Sequence, residues 1–318
     1  MPLSPTELEK GSSLWSDAWH RLCKNKLAMA GFVVVILILV ACFIVGPILH
    51  WNGWDPNSQD LTNKFARPGL SHPLGTDQLG RDLLIRVLDG GQISLLVAIL
   101  ATVLTVSAGI VYGGLAGYLG GWVDSAMMRI VDGLLAMPFL IVVILFRELI
   151  AGELDELAHF LITQWHWNAD FVLRFSNIAP LVLAIAAFGW LTMGRIVRTQ
   201  AASLVRMEFV EAARSLGLGH LRILFRHIVP NILGPIIIYA TLTIPSFILY
   251  EATLSFIGLG IEPPNASWGI LIKEGANFLE SETALILVPS AMFALTLFSF
   301  NFLGDGLRDA LDPKAAKD

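Results

Sequence analysis

Six long apolar stretches constrain this chain more than any other feature. They fall at 27–49, 93–119, 130–146, 178–194, 228–250 and 284–303, and the first two contain no charged residue. Crossing the hydrocarbon core takes about 20 mostly apolar residues, and a backbone immersed in lipid must satisfy its own hydrogen bonds. The expected fold class is therefore all-α, a polytopic membrane protein with six transmembrane helices. The third and fourth stretches sit near the lower length limit of about 17, and Asp132 interrupts the third. The first stretch begins too late, and runs too long, for a cleaved signal peptide.

Composition excludes the main alternatives. The chain is 55% hydrophobic and 15% charged, whereas soluble domains carry about 25% charge. A formal net charge of −5 has the wrong sign for a nucleic-acid binder. Cys23 and Cys42 are too few for a disulfide framework or a metal cluster.

With six crossings both termini share one side. Two thirds of the 21 Lys and Arg fall on that side, six of them being Arg195, Arg198, Arg206, Arg214, Arg222 and Arg226. Acidic residues lean the other way. The positive-inside rule makes the basic side, with both termini, cytoplasmic. The N-tail, 1–26, carries Trp15, Trp19 and Leu22 at i, i+4, i+7 behind Ser12 or Ser13 as a cap. That pattern predicts an interfacial helix leading into the first span. Residues 51–91 form a periplasmic segment, 92–305 the transmembrane core and 306–318 the C-tail.

Gly109, Gly113, Gly117 and Gly121 recur every four residues late in the second stretch. Small residues at that spacing let two helix backbones approach closely in lipid, so they predict a helix-packing face. The loop 195–230 reads as a helix over 198–216, a glycine elbow at Gly217 and a short helix over 220–228 before Pro230. Ala212 and Ala213 leave room for a partner surface to come close, and Glu211 offers one charge at the tip. From the residues alone, two roles stand open: a docking element, or six arginines gripping anionic headgroups.

Glu211-Ala212-Ala213, three residues, Gly217, then Pro230 resembles the EAA motif of permease subunits of bacterial ABC importers. His227 and Val229 stand where that motif usually has isoleucine and leucine. Further matches extend the resemblance to the C-type permeases of the peptide and nickel branch. They are His72-Pro73-Leu74-Gly75-Thr76-Asp77, Tyr118-Leu119-Gly120-Gly121-Trp122, Leu254-Ser255-Phe256-Ile257-Gly258 and Gly304-Asp305-Gly306-Leu307-Arg308. The start and tail are most similar to the oligopeptide group. The resemblance implies a type I importer fold in the bacterial inner membrane. It implies a B-type permease partner, two cytoplasmic ATPases that carry ATP and Mg, and a periplasmic peptide-binding receptor. It makes 195–230 a coupling loop in which Glu208, Glu211, Ala212, Ala213, Gly217 and His220 face the ATPase. No cofactor is implied for this chain itself.

The stretch 147–177 departs from that family. It reads as a long acidic periplasmic loop, either touching the receptor or decorating the interface. His159 and His166 lack a third ligand for a metal. No phosphate-binding glycine loop with lysine, no H-E-x-x-H and no G-x-S-x-G occurs, so no catalytic residue is expected. The competing class is a proton-coupled carrier using Asp132 or Glu251, the two acidic residues in or beside spans.

Overall fold

The computed structural model describes residues 14–311. The proposed caps Ser12 and Ser13 lie outside the described residues. Helix α1, Leu14–Lys24, ends one residue before α2, Lys26–Val40, because the Asn25 side chain accepts from the Ala28 N–H and starts a new helix. Helix α2 continues through a π-turn, Ala41–Val45, into α3, Gly46–Trp51, which completes the first span. Residue Leu22 of α1 is buried, whereas Trp19 is half exposed and meets Phe32 edge-on.

Residues 52–82 fold as a compact loop. Asp60 accepts from Thr62 and Asn63, which holds its carboxyl below the usual carboxylate range. Gly80 turns there with φ +74°, where a β-carbon would stand 1.8 Å from the Asp60 carbonyl oxygen. Asp82 then caps α4, Leu83–Leu119, by accepting from the N–H groups of Leu84 and Ile85. At 37 residues, α4 is about 55 Å long, far beyond the roughly 30 Å hydrocarbon core.

The expected third span is not one helix. Helix α5, Gly121–Leu135, stops before Pro138, and α6, Phe139–Trp165, leaves at 91°. Pro138 has no N–H to give and forces Met137 away from helical backbone, so the apolar run 130–146 is split between two directions. The expected loop 147–177 is also corrected. It is helical almost throughout, since α6 runs to Trp165 and α7, Ala169–Leu204, follows three residues later under an Asn168 cap. Its acidic residues are those of long helices that reach beyond the apolar core.

The predicted helix 198–216 is broken as well. Helix α7 ends at Leu204 and α8, Glu208–Ser215, starts anew after Met207. Helix α9, His220–Ile223, leads through a π-turn (Leu224–Ile228) and a 3-10 turn (Val229–Ile232) into α10, Leu233–Ile257. Pro230 lies in that irregular stretch, inside the candidate span His220–Ile257. The short helix α11, Trp268–Ala276, and the long α12, Ala284–Leu311, follow. Five helical spans, or six with the bent α5–α6 pair, are long and apolar enough to cross a membrane.

Glycines set the closest contacts of the bundle. A β-carbon on Gly113 would lie 2.1 Å from the Gly194 carbonyl oxygen, and one on Gly117 would lie 2.4 Å from that of Arg198. Gly109 similarly meets Met193. So α4 and α7 touch backbone to backbone, as the glycine spacing predicts. Gly121 is a correction to that face: it lies past the end of α4 with φ +57° and nothing within 4 Å of an added β-carbon. Its role is to turn the chain into α5. At the other seam, Gly306 of α12 packs on Ala28 and Leu22. Thus the described ends of the chain meet at one end of the bundle, the end that also carries α8 and α9.

Candidate functional site

Helices α8 and α9 form an elbow at that end. Helix α8 closes in a Schellman turn: the Gly217 N–H donates to the Arg214 carbonyl at 2.9 Å and the Leu218 N–H to the Ala213 carbonyl at 3.2 Å. Gly217 has φ +75°, the left-handed conformation that this turn requires. Leu218 then packs back on the buried cluster that contains Val210 and Ala213.

The elbow has an inner and an outer face. Val210, Ala213, Ile223, Leu224 and Ile228 are buried together with Tyr118 and Ala201. Ala213 therefore serves this chain's own core, and of the two alanines only Ala212 is exposed. Glu208, Glu211, Gly217 and His220 are exposed too. Glu208 and Glu211 occupy the first turn of α8, where the helix dipole favours negative charge. Leu216 stands 81% exposed at the tip. The outer face thus carries two carboxylates, the Ala212 methyl, the His220 imidazole and the exposed apolar side chains of Met207, Phe209, Leu216 and Leu221.

One residue absent from the expected set joins the elbow to the bundle. The hydroxyl of Tyr118, in the last turn of α4, is hydrogen-bonded to His220 Nδ1 at 2.9 Å. The Arg214 guanidinium lies over the Tyr118 ring, 5.3 Å from its centroid. Tyr118 belongs to the Tyr118–Trp122 motif, but nothing in the sequence pairs it with a histidine 102 positions away.

The six arginines divide. Arg198 makes a two-pronged pair with Asp124, and Arg195 pairs with Asp132, so both pin α5 to α7. Arg214 covers Tyr118. Arg206, Arg222 and Arg226 are exposed and unpaired among the described residues. Half of the group is therefore engaged within the chain, and half is available to headgroups or to another protein.

The opposite end is held by a different polar set. Asp77, Arg81, Arg86 and Glu274 form a mostly buried ion-pair cluster, with Arg86 2.7 Å from both carboxylates. Beside it opens a cleft of about 800 Å³ between the end of the first span, α4, α6, α7 and the loop after α10. Arg174 bridges to Asp89 at 2.6 Å, and Arg147 grips the Gly260 carbonyl and Glu262. Residues 147–177 wall this cleft. His159 and His166 are not part of any cluster with metal-ligand composition among the described residues.

Glu251 is completely buried, and both its oxygens are taken. Ser94 donates to one at 2.6 Å and Ser255 to the other at 2.7 Å. Those hydroxyls in turn accept from the N–H groups of Trp268 and Ile261. The carboxylate thereby ties α4, α10 and α11 together.

A bundle of long apolar helices, crossing the bilayer several times and projecting a built elbow at one end, is the architecture of a membrane permease. The sequence profile of the family described as binding-protein-dependent transport system inner membrane component matches residues 109–317. That of the N-terminal TM domain of oligopeptide transport permease C matches residues 13–68. The chain belongs to the first of these families, as a multi-pass permease of the bacterial inner membrane. It is 44% identical over 306 residues to the oligopeptide transport system permease protein OppC of Escherichia coli (strain K12), covering 96% of this chain and 93% of that protein. It is 39% identical to the Haemophilus influenzae protein of the same description, covering 96% and 90%. The dipeptide transport system permease protein DppC of Bacillus subtilis (strain 168) is 39% identical, with 95% and 86% covered.

Proposed function

We propose that this chain is one of two permease subunits of an ATP-driven importer of peptides, and that the α8–α9 elbow is where the motor engages it. The elbow carries the proposal: its EAA spacing places Glu208, Glu211 and Ala212 outward behind a glycine-closed turn. A short, stiff, shallow projection of this kind suits a cleft in another protein. The relatives named for oligopeptide and dipeptide transport support peptides as cargo.

In this arrangement the elbow and both termini are cytoplasmic, as the Lys and Arg distribution favours, and the cleft walled by 147–177 is periplasmic. A B-type permease lies alongside to complete the pore. Two ATPases bind ATP and Mg below it. A receptor delivers the peptide from above. Closure of the ATPase dimer displaces the elbow, and the attached helices carry that displacement to the opposite end. A saturated Glu251 and an Asp132 paired with Arg195 favour structural work for both carboxylates over a proton relay.

The test is uptake of a labelled peptide into vesicles holding the assembled transporter. Uptake that needs ATP, and survives collapse of the proton gradient, is expected. Uptake that continues without the ATPases and stops with the gradient overturns the importer role.

A further inference from the structure

We propose that Tyr118 is the positioning residue that locks the elbow to α4, so that movement imposed on α8 and α9 is delivered to α4 rather than lost at the joint before α8. This rests on the coupling role proposed above.

Four observations carry it. First, both backbone joints of the elbow are irregular. On one side, three residues without helix, Val205 to Met207, separate α7 from α8. On the other, a π-turn and a 3-10 turn separate α9 from α10. On the α9 side those turns still form one helical path from His220 to Ile257, so it is at the interruption before α8 that a motion applied to the elbow can be absorbed. Second, the burial of Val210, Ala213, Ile223 and Leu224 holds the elbow down, but apolar burial is non-directional and allows sliding.

Third, directional contacts converge on Tyr118. Its hydroxyl meets His220, the first residue of α9, and its ring lies beneath Arg214, in the last turn of α8. One side chain thus grips both arms of the elbow, one on each side of Gly217. Fourth, Tyr118 is only 5% exposed and sits on an unbroken helix of 37 residues. Asp89 and Gln92 of that same helix hold Arg174 in the cleft at the far end. The two positive-φ glycines Gly120 and Gly121 follow at once, so the grip falls at the end of the rigid part of α4 and not beyond it.

The experiment compares Tyr118→Phe with the parent in proteoliposomes containing the complete transporter. Peptide uptake and ATP hydrolysis are read in the same vesicles. Phenylalanine keeps the ring under Arg214 and removes only the hydroxyl. The expected result is a roughly five-fold fall in peptide taken up per ATP hydrolysed, the equivalent of one hydrogen bond of about 1 kcal/mol. His220→Leu, at an exposed position, should fall similarly, and the double variant should be no worse than either single one. His220→Gln, which keeps both an acceptor and a donor for the Tyr118 hydroxyl, should recover part of the loss. A merely structural role would lower assembly and leave uptake per ATP in the assembled fraction unchanged; that result overturns the inference. Gly217→Pro is run in parallel. If it transports at the parent ratio, the coupling role of the elbow itself fails. If it loses coupling while Tyr118→Phe and His220→Leu keep theirs, only the Tyr118 lock fails.

Discussion

At Gly113 a single methyl group would meet the Gly194 carbonyl oxygen, with no flexible side chain to yield. Gly113→Ala should destabilise the protein by about 1–3 kcal/mol, read as a lowered melting temperature in detergent. Gly133 offers the contrast, since nothing lies within 4 Å of an added β-carbon there. Gly133→Ala should be neutral or stabilising by up to about 1 kcal/mol in the same measurement. Equal effects at the two positions would refute the backbone-to-backbone contact. Glu251 supports a second residue-scale prediction. Glu251→Ala strands two buried serine hydroxyls, each at about 1–3 kcal/mol, and should lower the melting temperature sharply. Glu251→Gln retains an acceptor and a donor for the same hydroxyls, and should keep most of the stability and ATP-driven uptake. Loss of uptake in a stable Glu251→Gln protein would revive the proton relay.

Among elements, the α8–α9 elbow depends on one backbone conformation. Gly217→Ala forces a β-carbon into φ +75° and costs about 1–2 kcal/mol. Gly217→Pro also deletes the N–H that donates to Arg214 and should abolish coupled uptake, while a receptor still binds its peptide. Motif spacing marks Glu211, Ala212, Ala213 and Gly217 in the sequence, but it does not separate the exposed Ala212 from the buried Ala213, nor does it point to the exposed Phe209 and Leu216. The elbow's boundaries were not legible either. Val205, Arg206 and Met207 contain no helix breaker, so 198–216 reads as one helix. The break accompanies tertiary packing, with Ala201 of α7 and Ala213 of α8 both buried in the cluster that holds Tyr118. Pro138 was the opposite case: the breaker was visible, but the hydropathy of 130–146 masked it. In 147–177 the charge suggested a loop, whereas helices long enough to leave the bilayer carry charge without unfolding.

For the whole molecule, the number and class of the spans were readable, because lipid leaves a backbone few alternatives. Long-range polar links were not. The Arg198–Asp124, Arg86–Glu274 and Tyr118–His220 pairs join residues 74 to 188 positions apart, a separation at which no periodicity carries information. The proposed orientation is tested by labelling intact spheroplasts with a membrane-impermeant maleimide. Exposed Cys23 and an introduced Ala212→Cys should react only after permeabilisation, whereas Asp155→Cys should react from outside. The reverse pattern would invert the molecule in the membrane.

The glycine seam between α4 and α7 has an entropic consequence. A contact made of glycine backbone has no rotamers to freeze, so bringing these two helices together costs almost no side-chain freedom. Side chains on either side of it then fix its register: Met193 against Gly109, Trp190 against Tyr112, and Arg174 on Asp89. The seam thus behaves as a keyed joint, closest at the glycines and held against sliding by what flanks them.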